Sequence, residues 1–591
     1  MNADDKKYLI FLFCFSIALT VIMTKFHMGR GAFSSDVSVY LAGALDLADL
    51  NVNHISDPVW IQNSPVILFL TSLFFRLGYV NAYAIIYVSA FFGIVGIFGL
   101  YTLLRRVFTP LLSLSGSILY SSLSLTLFYY ANGMLDVPAV AMLLWTLVFT
   151  IAAVDKDPKY YILVAISFSI SFFIRFTNAF IFILIILYIL KKYDVINLIE
   201  CLFHDRGAFK SKIISFVKSR ELKWMVLAVG VSFSIFMIVF QVLLSHNVQI
   251  GYFSFAQGSL GGYHDHVGAA FKPDKWFFVK HFLKLLSCNH IVFGKVFLEK
   301  FKQPSFLAYL IMGILASGLI LKGINCLKNI NFFKNNLEKL EYRNNYSRGI
   351  LILSMIFLII LARFSFKITY LYAIICFFAV FVILMSLMRE LPIDKDKFSF
   401  SILCVALFLF YFLVVSFIDI KCVRYILPAF PGFVYLVIYS FDYICEFIRD
   451  GFDDNDTLLK KLNKESIASK SDFRIKLSKA VPIIFIIVCL FFAFNFTNTV
   501  EVNENGVQII ELCDFIKEYD PDYQSKEIIT LWDIRYFEWY LNKDIDKLGE
   551  DVDELDPDKY DYVITFEGPY KDDNYRKVHS IGYYYLNERI T

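Results

Sequence analysis

Long apolar segments, separated by shorter polar or charged ones, fill residues 1–497 of the chain. A helix that crosses a bilayer needs about 20 mostly apolar residues, because its backbone polar groups can be satisfied only within the helix. The pattern predicts thirteen transmembrane helices. They lie near residues 8–26, 81–104, 109–128, 137–154, 160–174, 176–190, 224–245, 305–321, 350–362, 369–388, 398–418, 425–447 and 480–497.

Two apolar segments have unusual lengths. Residues 65–77 are too few to cross a bilayer, so we expect this segment to lie along the membrane interface or to re-enter the membrane. Residues 160–190 are too many for one crossing and are interrupted by Arg175, which predicts a hairpin of two short spans. The first apolar segment lacks a clear cleavage site after it, so we interpret it as a retained helix rather than a signal peptide.

Composition agrees with a membrane protein. The chain is 58% hydrophobic and 18% charged, whereas soluble domains are about 45–50% apolar and about 25% charged. A net charge of +3 is too small to indicate a nucleic-acid partner, and membrane lipids are the expected surroundings. The ten cysteines form no CxxC pair, zinc spacing or disulfide framework.

Positive charge falls on alternate loops. If the amino terminus is cytoplasmic, all the basic loops lie on the cytoplasmic side, as the positive-inside rule expects. These loops are residues 105–106, 191–223, 322–348, 389–397 and 449–479. They hold no Walker A or GxGxxG signature, so no nucleotide cofactor is expected. Thirteen spans then place the carboxyl terminus outside the cell.

The last segment, residues 498–591, is polar and acidic. Helix-like periodicity at 507–519 and strand-like runs at 528–532 and 562–566 predict a small extracytoplasmic α/β domain. The predicted fold is therefore an all-α polytopic membrane protein of about thirteen transmembrane helices with this domain appended. Residues 1–497 form the membrane domain, with outer loops at 27–80 and 246–304.

Two aspartates are predicted at the outer ends of spans. Asp36 would lie in the first turn of a helix capped by Ser34 or Ser35, with Tyr40 on the same face. Asp136 directly precedes a span, where a carboxylate is costly unless it is paired, solvated or bound to metal. Either residue could instead serve only to cap its helix or to interact with the helix dipole.

The long outer loop carries histidines that could bind a metal ion. His264, Asp265 and His266 are consecutive, and His281 and His290 follow. Imidazole and carboxylate together can hold a divalent cation, so His264 and His266 are candidate ligands beside Asp136. The spacing matches no strong metal motif, and exposed histidines are often only solvated.

Basic residues at the same rim suit a phosphate. Lys421 and Arg424 lie at the mouth of a late span that also carries Pro428 and Pro431, and the arginine fork can bind phosphate oxygens in pairs. Anchoring of the span at the headgroup level is the alternative, above all for Lys421. Further candidates at outer helix ends are Arg175, Arg363 and Lys367.

These residues carry a family resemblance. The D-x-x-x-Y-x-x-x-A motif that begins at Asp36, the YYANGM turn before Asp136 and the R-Y-x-x-P-x-x-P motif at Arg424 resemble the GT-C glycosyltransferases. The protein O-mannosyltransferase and aminoarabinose-transferase branch is the most similar. The resemblance covers roughly the first 190 residues and the surroundings of Arg424. The chain departs from that branch at Val37, where many members carry an acid, and before Pro65, where many have a further proline.

The resemblance implies a sugar donor carried on a polyprenyl phosphate, with Asp36 near the reacting centre and Asp136 binding metal or orienting substrate. Asp36 would accept the proton of an acceptor hydroxyl or amine while the lipid phosphate leaves, in one inverting displacement. Arg424 with Lys421, or a divalent ion, would balance the charge of the leaving phosphate. The acceptor could be a protein, a lipid or a glycan.

Two other functions remain open from the sequence. A transporter or flippase of a lipid-linked or anionic substrate would place its functional charges near the bilayer midplane, whereas these candidates cluster at one rim. A noncatalytic scaffold has only the small terminal domain in its favour. The enzymatic interpretation requires Asp36 and Asp136 to share one cavity with Arg424.

Overall fold

The computed structural model describes residues 3–28, 34–55, 58–192, 201–202, 205–248, 251, 274, 276–289, 291–292, 300–301, 303–328, 342–365, 370–388, 394–417, 421–450, 464–499, 504–547 and 559–590. Within these ranges, eight helices are long and apolar enough to cross a membrane, and five shorter apolar helices accompany them. The protein is thus a multi-pass, mainly helical membrane protein.

The helices of residues 1–499 follow the apolar pattern of the sequence. In chain order they are α1 (Ala3–Met28), α2 (Ser35–Leu47), α3 (Pro65–Arg76), α4 (Tyr83–Leu104), α5 (Pro110–Ser122), α6 (Ser124–Phe128), α7 (Asp136–Asp155), α8 (Tyr161–Ile174), α9 (Ile181–Leu190), α10 (Arg206–Val217), α11 (Arg220–Ser245), α12 (Phe277–Leu286), α13 (Phe306–Lys328), α14 (Tyr342–Ser365), α15 (Tyr370–Met388), α16 (Lys395–Phe417), α17 (Phe430–Asp450) and α18 (Lys464–Thr499).

Each predicted span falls on helical structure, with one correction. The segment 109–128 is two helices rather than one, because Leu123 adopts an extended conformation (ψ 131°) between α5 and α6. The expected break at Arg175 is confirmed, since its extended backbone (φ −154°, ψ 112°) ends α8. Helix α3 has 12 residues, too few to cross a bilayer, and it packs against α2.

Opposite ends of α7 mark the two rims of the membrane domain. The helix has 20 residues, so it is about 30 Å long, close to the thickness of the hydrocarbon core. Asp155 at its carboxyl end is nearly buried and pairs with Arg106 at 2.6 Å and Lys191 at 2.8 Å. Lys191 also contacts Asp396 at the start of α16. The basic loop ends therefore gather at one rim, and Asp136 lies at the other.

The carboxyl-terminal residues form the predicted α/β unit. It contains α19 (Glu504–Tyr519), β3 (Ile528–Thr530), α20 (Ile534–Leu541), β4 (Asp546–Lys547), β5 (Tyr562–Phe566), β6 (Tyr575–Ile581) and β7 (Tyr584–Arg589). A two-residue pair, β1 (Ile291–Val292) and β2 (Lys300–Phe301), lies earlier in the chain. The sheet order is β4-β3-β5-β7-β6, with β3 parallel to both neighbours and β7 antiparallel to both of its own.

This unit packs directly on α2. Helix α20 contacts α2, and the Trp539 ring stacks on Phe75 of α3 with centroids 6.2 Å apart. The Asn53 side-chain amide donates to the Asn542 carbonyl at 2.6 Å. The carboxyl-terminal unit therefore lies on the rim that carries Asp36.

Candidate functional site

A cavity of about 240 Å³ opens at this rim, between α2, the start of α7, the break after α8 and the end of α16. It is lined by both predicted aspartates and by two arginines distant from them in sequence. The site residues of the cavity that the sequence had singled out are Asp36, Tyr40, Asp136, Arg175 and Arg424. The structure thus brings together residues that are up to 388 positions apart.

Arg424 lies against both carboxylates. Its Nη2 donates to Asp36 Oδ2 at 2.8 Å, and its Nε is 4.0 Å from Asp136 Oδ2. It belongs to a 3₁₀ segment, Val423–Ala429, that leads into α17. Pro428 lies inside this segment, and because it lacks an N–H group it disfavours a regular α-helix there.

Arg175 neutralises the other face of Asp136. Its Nη1 donates to Asp136 Oδ1, and its guanidinium lies 4.9 Å from the centroid of the Tyr425 ring, which Arg424 also approaches at 6.0 Å. Only 3% of the Asp136 side chain is exposed, so an unpaired charge there would be strongly unfavourable. The formal charges of the two carboxylates and the two guanidiniums thus cancel, and both guanidiniums lie near the Tyr425 ring.

Asp36 and Asp136 lie in the first turns of α2 and α7, but neither helix has a side-chain cap hydrogen bond at its amino-terminal end. Ser34 precedes α2, but its hydroxyl donates to the sulfur of Met134 at 3.2 Å rather than to the helix backbone. Asp36 follows in the first turn, and its carboxylate accepts from Arg424. Tyr40 is one turn further along the same face and is nearly buried. Capping alone therefore does not explain Asp36.

Asn178 connects the 3₁₀ segment after Arg175, Phe176–Phe180, to α7 by hydrogen bonds. Its amide donates to the Ala139 carbonyl at 2.9 Å and to Ser171 Oγ at 2.8 Å, and its backbone N–H donates to the Arg175 carbonyl at 2.9 Å. The side chain is fully buried. Asn178 thereby fixes the position of Arg175 relative to Asp136.

Replacing Asn178 with leucine should lower the thermal stability of the purified protein. The substitution keeps the branched shape of the side chain but leaves the Ala139 carbonyl and Ser171 hydroxyl without the amide donor, a loss of about 1–3 kcal/mol for buried groups. Thermal unfolding in lipid nanodiscs measures it. Ser171→Ala is the control and should cost less, because the bond to Ala139 survives. Equal midpoints for Asn178→Leu and the unmodified protein would contradict this role.

Lys421 has a different environment from the one expected of a phosphate ligand. It is 3% exposed and is absent from the cavity lining. Its Nζ donates to the carbonyls of Val415 at 3.2 Å and Ser416 at 2.7 Å, at the carboxyl end of α16. A cation there complements the partial negative charge of the helix terminus. The structure thus places Lys421 as a helix-end partner.

The metal hypothesis gains no ligand set from the described part of the chain. His264, His266 and His290 lie outside the described residues, as do Asp265 and Lys367. His281 lies on α12, where its ring contacts Phe277 at 4.9 Å, and burial lowers the pKa of its imidazole. Among the residues the structure describes, no group of three or more His, Cys, Asp or Glu side chains could hold a metal ion. The side chain of Arg363 also lies outside what is described.

Seven further polar or aromatic residues line the cavity and were not singled out from the sequence, among them Phe176, Thr177 and Phe180 in the segment after Arg175. Trp60 and Asn63 come from the 3₁₀ segment Pro58–Asn63, and Tyr411 lies on α16 one turn from Val414 and Val415. Tyr425 follows Arg424 in the R-Y pair. The R-Y motif was therefore the sequence feature that could have identified Tyr425 as a cavity residue. Nothing local in the sequence distinguishes Tyr411 from the many aromatic residues that face lipid or the core.

Comparison with known proteins agrees with this fold. The family of dolichyl-phosphate-mannose-protein mannosyltransferases matches residues 62–199. No curated protein matches the chain by sequence. The crystal structure of ArnT from Cupriavidus metallidurans bound to undecaprenyl phosphate aligns at a TM-score of 0.54 and 9% identity, over 99% of this chain and 98% of that one. Its apo form aligns at 0.52 and 10% identity, over 100% and 99%.

Archaeoglobus fulgidus oligosaccharyltransferase has a lower similarity. Its complex with zinc and sulfate aligns at a TM-score of 0.42 and 10% identity, over 93% of this chain and 67% of that one. The match at residues 62–199 and the fold shared with ArnT confirm the expected resemblance to the O-mannosyltransferase and aminoarabinose-transferase branch of the GT-C glycosyltransferases.

Proposed function

We propose that this protein transfers a sugar from a polyprenyl-phosphate donor to an acceptor at the non-cytoplasmic rim of the membrane. The observation that carries the proposal is one guanidinium, that of Arg424, in contact with Asp36 and close to Asp136. A base and a phosphate ligand at hydrogen-bonding distance are what a displacement at a sugar-phosphate bond requires. The ArnT structure that shares this fold is bound to undecaprenyl phosphate.

Donor binding would change the partner of Arg424. The phosphodiester of the donor carries one negative charge, like a carboxylate, and its two free oxygens accept from the arginine fork in pairs, so it competes with Asp36 for Arg424. Asp136 keeps Arg175 as its own partner. Arrival of the donor would therefore release the Asp36 carboxylate, in the same cavity, to act on the acceptor.

The proposed reaction is a single displacement. The acceptor oxygen or nitrogen forms a bond to the anomeric carbon while the bond between that carbon and the phosphate oxygen breaks. The acceptor proton moves to the Asp36 carboxylate, and the bonding electrons remain on the phosphate oxygen, next to Arg424 and Arg175. Attack from the face opposite the leaving group inverts the anomeric configuration.

The described residues do not fit a divalent cation at this position. The second oxygen of Asp136 is buried and accepts no hydrogen bond within the described residues. It lies between two guanidiniums, however, and these repel a dication at short range. We therefore assign the neutralisation of phosphate to Arg424 and Arg175, and no step depends on a metal ion. A contribution from His264 and His266 stays a prediction from the sequence.

The reaction can be tested with purified full-length protein in nanodiscs. Polyprenyl-phosphate sugars are supplied with protein, lipid and glycan acceptors, and release of bare polyprenyl phosphate is followed by chromatography. We expect release that depends on Arg424, and a product of inverted anomeric configuration by NMR. If no donor and acceptor pair yields free lipid phosphate, the proposal is wrong. A product of retained configuration would exclude the single displacement.

A further inference from the structure

A second and larger cavity lies between the carboxyl-terminal unit and the outer ends of α2 and α4. It measures about 740 Å³, within the range of about 300–1,000 Å³ found for small-molecule sites. Three aromatic residues, Tyr83, Trp539 and Tyr540, line it together with Asn81 and Asn542. Its other lining residues are aliphatic: Leu45, Leu50, Val80, Ala82 and Ile510. We call it the interdomain cleft. Among the residues that the structure describes, none that lines the cleft is charged.

This lining selects a chemical class of ligand. Aromatic rings offer flat apolar faces, and amides offer donors and acceptors side by side. A neutral saccharide presents the complementary surface, with C–H faces on its rings and hydroxyl groups around their edges. A phosphate or a charged peptide would find no opposite charge among the described lining residues, so its desolvation would be uncompensated by them.

The walls of the cleft are held in place. Trp539 stacks on Phe75 at an interplanar angle of 22°, which fixes the plane of the indole. Asn542 ends α20 with a left-handed backbone (φ +49°), and its carbonyl accepts the bond from Asn53 on the outer loop. A preformed site of this kind loses little entropy when a ligand binds.

The cleft is joined to the catalytic cavity by one helix. Asp36 and Tyr40 lie at the start of α2, and Leu45, near its end, lines the cleft. Nine residues of α-helix separate Asp36 from Leu45, about 14 Å along the axis. An acceptor chain longer than one sugar unit could rest in the cleft with its growing end directed to Asp36.

We propose that the interdomain cleft binds the acceptor, and that this acceptor is a neutral glycan chain. The inference rests on the proposed function, because it names the acceptor of that reaction. It predicts that the glycan binds through Trp539, Tyr540 and Asn542 before any sugar is transferred. It also makes the carboxyl-terminal unit part of the substrate-binding surface.

Glycan binding can be measured without donor. Full-length protein in nanodiscs is titrated with a panel of neutral oligosaccharides, and binding is followed by saturation-transfer NMR and calorimetry. Trp539→Ala should weaken binding about tenfold, by loss of one stacking ring. Trp532→Ala is the matched control, because Trp532 is 57% exposed on the same unit and does not line the cleft.

A second variant separates binding from folding. Asn542→Gly removes the amide, while glycine adopts the left-handed backbone without strain, so the thermal midpoint should be retained and glycan affinity should fall. If no oligosaccharide binds, or if Trp539→Ala and Trp532→Ala bind equally, the proposal is wrong. It is also wrong if the cleft takes up phospholipid or charged peptide instead, detected by the same NMR experiment.

The outcomes for the two proposals differ. Trp539→Ala should raise the KM for a glycan acceptor, whereas Trp532→Ala, outside the cleft, should leave both this KM and the slow hydrolysis of donor by water unchanged. Glycan binding without any release of lipid phosphate would support the cleft and overturn the transferase reaction. Release of lipid phosphate without glycan binding would support the transferase reaction and overturn the assignment of the cleft.

Discussion

Replacing Arg424 with lysine is expected to lower the rate of sugar transfer about 10²–10³-fold, the usual loss when one preorganised donor to a developing anion is removed. Arg424 reaches Asp36 through Nη2 at 2.8 Å and lies 4.0 Å from Asp136 through Nε. Lysine has one nitrogen at the end of a flexible stem and cannot hold both positions. The positive charge survives, so the loss reports on the fork geometry.

Donor binding should weaken in the same variant, because a single ammonium replaces paired hydrogen bonds to the phosphate. Turnover and donor KM are measured in nanodiscs, with thermal unfolding as a check on folding. The matched control is Arg576→Lys, since Arg576 also bonds to a carboxylate, that of Glu588, but is 64% exposed on the far β-strand. Its turnover should be unchanged. An Arg424→Lys enzyme of normal turnover would remove Arg424 from the mechanism.

Much of the architecture could be predicted because membrane insertion imposes simple rules on the sequence. Apolar length located the helices, and Arg175 marked a break that the structure confirms. Helix interruption at Leu123 could not be predicted in the same way, because leucine carries no signal for an extended backbone. The break depends on tertiary packing, since Cys288 donates its N–H to Ser124 directly after it.

The site was predictable to the extent that charge in an apolar sequence is rare. Asp36, Asp136, Arg175 and Arg424 are conspicuous at the ends of spans, and all four lie in one cavity. Which acid faces which arginine depends on contacts between α2, α7 and the Val423–Ala429 segment, which no local pattern specifies.

Lys421 shows the limit of reasoning from charge alone. It is three residues before Arg424 and has the same sign, yet it lies buried against the end of α16. A lysine near a span mouth can interact with a phosphate or with a helix terminus, and the sequence does not distinguish the two.

Replacing Asp36 with asparagine should lower the transfer rate about 10²–10⁴-fold, the range attributed to a positioned general base. Asparagine keeps the size and can still contact Arg424, but it cannot accept the acceptor proton. Donor affinity should be equal or higher, because Arg424 no longer has a competing carboxylate. Asp36→Asn should therefore lower the transfer rate without lowering donor affinity, whereas Arg424→Lys should lower both.

Asp136→Asn should differ from Asp36→Asn in its effect on thermal stability. Asp136 is 3% exposed and holds Arg175, so its neutralisation leaves a buried cation without its partner and should destabilise the fold. Asp36 is 37% exposed, and its loss should leave the thermal midpoint nearly unchanged. Asp49→Asn is the control, since Asp49 lies just after α2 and is 81% exposed. If Asp36→Asn transfers sugar at the unmodified rate, another group must accept the proton, and Asp136 is the remaining carboxylate among the described residues of the cavity.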